Sequence, residues 1–190
     1  MALTASRMLP LGTLAPDFHL TATDGQQYSL ASFASAPALL VMFICNHCPF
    51  VKHVRTQLAS LGRDYRSDGL AVIAINSNDT RAYPADDMDH MRQEVSATGY
   101  EFPYVLDESQ SVAQAYAAAC TPDFFLFDAG RRLVYRGQLD GSRPGNQIPV
   151  TGQDLRSAIA AVLTGAAQNT EQKPSIGCNI KWRAGNEPAP

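Results

Sequence analysis

Two cysteines three residues apart stand in the stretch Ile44-Cys45-Asn46-His47-Cys48-Pro49-Phe50-Val51-Lys52-His53, directly after the apolar run Ala38-Leu39-Leu40-Val41-Met42-Phe43. Three chemistries compete for such a pair: a redox disulfide, a soft-metal site, and two packed thiols. The i to i+3 spacing in a tight turn brings the sulfurs within disulfide reach without backbone rearrangement. A helix beginning at the pair adds unpaired N–H groups and a positive dipole end, which stabilise a thiolate and lower its pKa. His47, when protonated, supplies a second cation beside Cys45 and makes the disulfide more oxidising. By access, Cys45 is read as the attacking nucleophile and Cys48 as the resolving thiol. Packed structural thiols account poorly for the placement, because reactive cysteines favour such electropositive turns.

As a metal site, Cys45, Cys48 and a histidine, with Cys120 as a further donor, would suit zinc or copper(I). Ligand type alone neither selects among these ions nor excludes redox use, so no metal ligand is assigned. Cys120 reads as a small buried hydrophobe or as a third thiol able to exchange with the pair. Cys178, in Ser175-Ile176-Gly177-Cys178-Asn179-Ile180-Lys181-Trp182, is balanced between packing and a shuttle thiol, since exchange needs only access and a suitable line of attack. The cluster Asp86, Asp87, Asp89, His90 is read as a charged, capped helix start rather than a metal site. Asn78 and Asp79 read as plain loop, although sites gather at the carboxyl ends of parallel strands. His53 reads as a residue of the helix surface.

The elements that must position these residues follow from periodicity. Residues 17–30 read as a β-hairpin about Asp24-Gly25, and residues 29–33 add a helical turn. Residues 37–44 form a continuous apolar run, as expected of a central strand covered on both faces. Apolar residues then recur at Val51, Val54, Leu58, Leu61 and Tyr65, which predicts an amphipathic helix with Cys48 as N-cap and Pro49 at its first position. Residues 69–79 read as a second buried strand, residues 83–98 as a loop, an acidic cap and a helix stopped by Gly99, residues 102–108 as a third strand, and residues 109–119 as a third helix. Residues 124–128 and 133–137 flank Asp128-Ala129-Gly130 in a hairpin whose Gly130-Arg131-Arg132 reads as a solvated turn. A last helix follows, with Thr151 as N-cap and Leu155, Ile159 and Leu163 on one face. Alternating strands and helices followed by an antiparallel hairpin predict an α/β fold with a mixed sheet.

The 190-residue chain, 45% hydrophobic and 17% charged, fits one domain with a full core. No internal repeat divides it. A net charge of -3 without a basic run leaves no electrostatic footprint for nucleic acid or an anionic membrane. No signal or transmembrane segment is evident, so the reading is cytoplasmic. Thiols there are kept reduced, which directs the four cysteines to catalysis, sensing or metal rather than to a structural framework.

Cys45-Asn46-His47-Cys48 between a strand and a helix, with Cys120-Thr121-Pro122-Asp123-Phe124-Phe125 before a hairpin, resembles the thioredoxin fold. The opening Ala15-Pro16-Asp17-Phe18-His19-Leu20 resembles the redoxin members of the alkyl hydroperoxide reductase and thiol-specific antioxidant superfamily. The resemblance implies a three-layer αβα sandwich around a mixed sheet with an N-terminal β-hairpin extension. It divides the chain into an arm (1–14), a redoxin domain (15–165) and a tail (166–190) carrying Cys178. It also implies a cis Thr121-Pro122 bond against the cysteine pair, where the Thr121 backbone pairs with an extended substrate. Met42 stands where typical peroxiredoxins have a threonine ahead of the reactive cysteine, which weakens direct peroxidase chemistry. Leu39 stands where thioredoxins carry a buried aspartate, which leaves the proton acceptor unassigned. The expectation is a thiol:disulfide oxidoreductase acting on protein or small disulfides, needing no organic cofactor, with an upstream thiol reductant as partner. The alternatives are a thiol-dependent peroxidase, a copper or zinc binding module, and a redox sensor.

Overall fold

The computed structural model describes residues 3–188; the outermost two residues of the arm and of the tail lie outside the described residues. In chain order the strands are β1 (Leu3–Ala5), β2 (His19–Ala22), β3 (Gln27–Ser29), β4 (Ala38–Phe43), β5 (Leu70–Asn76), β6 (Tyr104–Leu106), β7 (Cys120–Thr121), β8 (Asp123–Phe127), β9 (Leu133–Gly137) and β10 (Ile176–Asn179). The helices are α1 (Pro49–Asp64), α2 (Met88–Thr98), α3 (Ser111–Ala115) and α4 (Gln153–Thr164). Seven strands form one mixed sheet in the order β3-β2-β6-β5-β4-β8-β9. Among the described residues parallel pairing is confined to β4 with β5 and β5 with β6, the two steps bridged by α1 and by α2.

The apolar run reads as it does because β4 is the centre of this sheet, with all six residues buried. Side chains alternate across a strand, so one run supplies two cores. Leu40 and Met42 pack with Val54, Leu58 and Leu61 of α1, Met91 of α2, and Leu155 and Ile159 of α4. Leu39, Val41 and Phe43 face the other way, against Phe18, Val112, Ala113 and Tyr116. These are the three layers that the sequence resemblance implies. Among the described residues no helix is long and apolar enough to cross a membrane.

Some boundaries differ from the sequence reading, each for a local reason. The third helix spans only Ser111–Ala115, because the chain turns at Ala117 with φ +48°. The last helix is capped by Gly152 at φ +71° rather than by Thr151, since the buried Asp140 carboxylate accepts both the Thr151 and Gly152 N–H groups. Arg131 is no solvated turn residue: its guanidinium donates to the carbonyls of Phe33 and Ala36 and ties the hairpin to the helical turn Leu30–Phe33. The N-terminal hairpin is more than an extension, because β2 also pairs with β6 and becomes part of the main sheet.

The tail adds a second sheet. β10 lies between β1 and β7 in a separate three-stranded antiparallel sheet, with Cys178 opposite Leu3 on one side and Thr121 on the other. The approach to β7 depends on Gly177, where a Cβ would lie 2.1 Å from the Thr121 carbonyl oxygen. Ile180 is buried and Trp182 packs on the second core, while Ile176 stays 38% exposed. Lys181 completes the docking: its N–H donates to Asn78 Oδ1 at 2.8 Å, and its carbonyl accepts from Asp79 N–H and Gln110 Nε2, each at 2.8 Å.

Candidate active site

The site forms where β4 ends. Ile44 N–H still pairs with the Ile75 carbonyl, after which Cys45 to Cys48 loop over to α1. Cys48 is the N-cap, with φ -66° and ψ 124°, and Pro49 opens the helix, as the spacing predicts. Thr121 faces both sulfurs. Its hydroxyl lies 3.4 Å from Cys45 Sγ, and its carbonyl oxygen 3.3 Å from Cys48 Sγ. The Thr121-Pro122 bond is cis. A third sulfur is present: Cys178 Sγ lies 2.9 Å from Cys48 Sγ. All three are enclosed, with Cys45 2%, Cys48 0% and Cys178 2% exposed. None is in a disulfide.

The charge of the pair sits differently from the sequence expectation. Cys45 lies four residues ahead of the first helical residue, whereas Cys48 receives the Val51 N–H at the helix start. The hydrogen bond from Cys45, aided by Cys178 and Val51, pushes the Cys48 thiol down to about 4 against the opposing effect of burial. That same hydrogen bond, then burial, then the nearby Asp86 carboxylate hold Cys45 well above the usual thiol range. A smaller contribution from the Thr121 side chain acts in the same downward direction. The two thiols therefore act as one unit that loses its first proton readily and its second with difficulty. Burial, then the bond to Cys48, pushes Cys178 up to about 12. Cys120 is also buried and raised, by burial first and Asp123 second, and its Sγ lies 3.6 Å from the Pro122 carbonyl oxygen.

His47 is held by a residue that sequence reasoning assigned only to a helix cap. Asp86 is fully buried, and its Oδ1 accepts the Asn46 N–H at 2.8 Å and the His47 N–H at 3.3 Å. Its Oδ2 accepts from His47 Nδ1 at 2.6 Å and Asn78 Nδ2 at 2.8 Å. The carboxylate fixes the His47 tautomer with its proton on Nδ1, and Tyr83 stacks on the imidazole at 5.5 Å. Tyr104 completes the cradle by donating its hydroxyl to Asn46 Oδ1 at 3.1 Å. The cap of α2 is instead Asp87, which accepts the His90 N–H. No signal in the sequence separates Asp86 from Asp87; Asn78, read as plain loop, holds Asp86 from the other side.

Donor atoms of Cys45, His47 and Asp86 lie within 4.8 Å of one another, a spacing a cation could bridge. Hydrogen bonding explains the group more economically. Four donors fill the four lone-pair positions of Asp86, so a metal would have to displace at least one of them. His53, 2.7 Å from Ser142 Oγ, covers the flank of α1 as expected of a surface residue.

Asp86→Ala is expected to destabilise the protein by about 3 kcal/mol or more in urea unfolding, because it strands buried donors on Asn46, His47 and Asn78. The pH midpoint of Cys45 alkylation should also fall, since the Asp86 charge helps hold that thiol up.

Asp123, directly after Pro122, is a second buried carboxyl, pushed up to about 8 by burial. Among the described residues its Oδ1 has no hydrogen-bond partner, while Oδ2 accepts the Ala119 N–H at 3.3 Å. Between pH 4 and 8 the unfolded chain ionises this group while the folded protein keeps it protonated, so stability falls as pH rises. Asp123→Asn is expected to flatten that slope and to add roughly 2–4 kcal/mol at pH 8 relative to pH 4, checked by urea unfolding at both pH values.

The fold and dithiol together define a thioredoxin-like redox protein. A family model described as Redoxin matches residues 10–155, and the chain belongs to that family. The thiol-disulfide oxidoreductase ResA of Geobacillus thermodenitrificans is 23% identical over 130 residues, which are 68% of this chain and 70% of that protein. A crystal structure of a hypothetical protein of Sinorhizobium meliloti 1021 is 57% identical with a TM-score of 0.95, covering 96% of this chain and 100% of that one. Its likeness therefore extends beyond the last residue of the family match. At 17% identity, a thiol:disulfide interchange protein of the thioredoxin family from Chlorobium tepidum TLS shares the fold, with a TM-score of 0.63 over 82% of this chain and 99% of that one.

Proposed function

We propose that this protein is a thiol-disulfide oxidoreductase that reduces disulfides with the Cys45/Cys48 dithiol. The observation that carries the reading is geometric: the Cys45/Cys48 pair sits between a strand end and a helix start, with Thr121 of the cis Thr121-Pro122 segment against both sulfurs. Cys48 takes the proton of Cys45 along their hydrogen bond, and the Cys45 thiolate attacks one sulfur of a substrate disulfide, releasing the other as a thiolate. Cys48 passes its proton to that leaving thiolate and attacks the Cys45 sulfur, which frees the second half of the substrate and leaves the protein oxidised. An upstream thiol then returns two electrons. Cys45 takes the entry role because it retains the little exposure the pair has. The Thr121 hydroxyl, 3.4 Å from Cys45, is placed to donate to the thiolate as it forms. Asp86 positions the loop and His47 rather than meeting substrate. Peroxide reduction draws less support, since the buried Met42 offers no hydroxyl where peroxiredoxins use one. In the reduced compartment expected from the cysteine usage, the cycle runs toward disulfide reduction.

The test is a trapping experiment. The Cys48→Ser protein, incubated with oxidised glutathione and digested after acid quenching, is expected to carry glutathione on Cys45. An adduct confined to Cys120 or Cys178 would remove Cys45 from the entry role.

A further inference from the structure

The edge of β7 is occupied by the chain itself. The resemblance to thioredoxins reserves the Thr121 backbone for an extended substrate, yet here β10 runs antiparallel to it with Cys178 paired to Thr121 and Asn179 to Cys120. Adding a strand to an open sheet edge is a general way to bind an extended peptide. β10 therefore stands as a substrate strand supplied in cis, with its cysteine level with the reactive pair.

The position of that cysteine is held from both sides. Upstream, Ser175 Oγ donates to the Pro122 carbonyl at 2.6 Å, while the Ser175 carbonyl accepts the Ser6 N–H at 2.9 Å. Gly177 lies flat on the Thr121 carbonyl, where no side chain fits. Downstream, Ile180 N–H donates to the Ala119 carbonyl at 3.1 Å, and Lys181 is bonded to Asn78, itself a ligand of Asp86. The two thiols already meet in a sulfur–sulfur hydrogen bond. At 2.9 Å, Cys48 and Cys178 need to close by under about 1 Å to reach the roughly 2.05 Å of a disulfide.

We propose that Cys178 is a third exchange thiol, and that the oxidised protein rests as a Cys48–Cys178 disulfide with Cys45 returned to the thiol form. The step follows substrate reduction and so rests on the dithiol function above. Cys178 sulfur attacks the Cys48 sulfur of the Cys45–Cys48 disulfide; the Cys48–Cys178 bond forms as the Cys45–Cys48 bond breaks. Cys45 leaves as a thiolate and takes up the proton that Cys178 gives up. No electron enters or leaves, so the step is a disulfide isomerisation that needs no further oxidant. Its consequence is that the two electrons' worth of oxidation moves away from the substrate-facing sulfur onto the docked tail.

The experiment oxidises the fully reduced protein with oxidised glutathione, quenches with acid, alkylates the remaining thiols and maps the linked peptides. In the wild-type protein most of the oxidised population should carry Cys48–Cys178 with Cys45 alkylated, and Cys178→Ser should carry Cys45–Cys48 instead. A wild-type protein holding mainly Cys45–Cys48, with Cys178 alkylated, would overturn this proposal and leave the dithiol function standing. A Cys45→Ser protein that forms Cys48–Cys178 at the wild-type rate would uphold the third thiol while removing Cys45 as the point of entry. If none of the three sulfurs is oxidised, both readings fall.

Discussion

Cys45→Ser is expected to lower the rate at which the protein catalyses reduction of a disulfide peptide on the order of 1,000-fold or more. A serine hydroxyl ionises far outside the range in which a buried thiol does, and it cannot form the covalent intermediate that divides exchange into two easier steps. Stability should change little, because the substitution is small and the Thr121 hydroxyl, 3.4 Å away, is a partner serine can also use. The measurement is turnover with dithiothreitol as the electron source, followed by loss of the intact disulfide peptide on reversed-phase chromatography above the uncatalysed rate. Cys48→Ser should behave differently. It removes both the base that takes the Cys45 proton and the resolving sulfur, so the mixed disulfide on Cys45 accumulates instead of turning over. A Cys45→Ser protein retaining a tenth of the wild-type rate would place the chemistry at another sulfur.

The second large effect is expected from a residue with no side chain. In Gly177→Ala the new methyl carbon would meet the Thr121 carbonyl oxygen at 2.1 Å and the carbonyl carbon at 2.7 Å, with Pro122 N behind them. Backbone atoms on a short paired strand cannot step aside as a flexible side chain would. β10 must therefore lift from β7, giving up the Cys178 to Thr121 pairing and the anchoring around Ser175. Overpacking of this kind costs about 1–3 kcal/mol, and loss of the strand adds to it, so a drop of roughly 2–4 kcal/mol in urea unfolding is expected. The same displacement uncovers Cys48, which is 0% exposed in the native protein. Alkylation of Cys48 by iodoacetamide should accelerate at least about tenfold, because the rate of a buried thiol follows the population in which it is open. If stability falls while Cys48 stays protected, the tail does not cover the pair.

These expectations share one feature: the tail and the loop around Asp86 are parts of the site, although neither contains the sequence pattern that announces it. Asp86 lies on the one-turn helix Pro84–Asp86 and is 40 residues from Asn46 along the chain, yet it accepts the Asn46 N–H. Cys178 lies 130 residues from Cys48. Such pairings arise from how β5 delivers its loop beside the end of β4, and from how the chain after α4 returns across the sheet to β7.

What the sequence determined by itself was everything carried by short-range pattern. The six apolar residues of β4 read as a doubly covered strand, the recurrence from Val51 to Leu61 as one face of a helix, and Pro49 set where that helix begins. Together they announced a dithiol at a strand-to-helix turn, and with the Cys120-Thr121-Pro122 segment they pointed to the thioredoxin fold. Tertiary structure decided what surrounds the dithiol. It brought the Val51 N–H, Cys45 and Cys178 together on Cys48, contacts that lower the pKa of that thiol. It made Asp86 a buried organiser and left Asp87 to cap the helix, a distinction between adjacent identical residues that no local rule contains. And it filled the β7 edge with the protein's own strand, because a glycine at position 177 lets two backbones meet where any side chain would hold them apart.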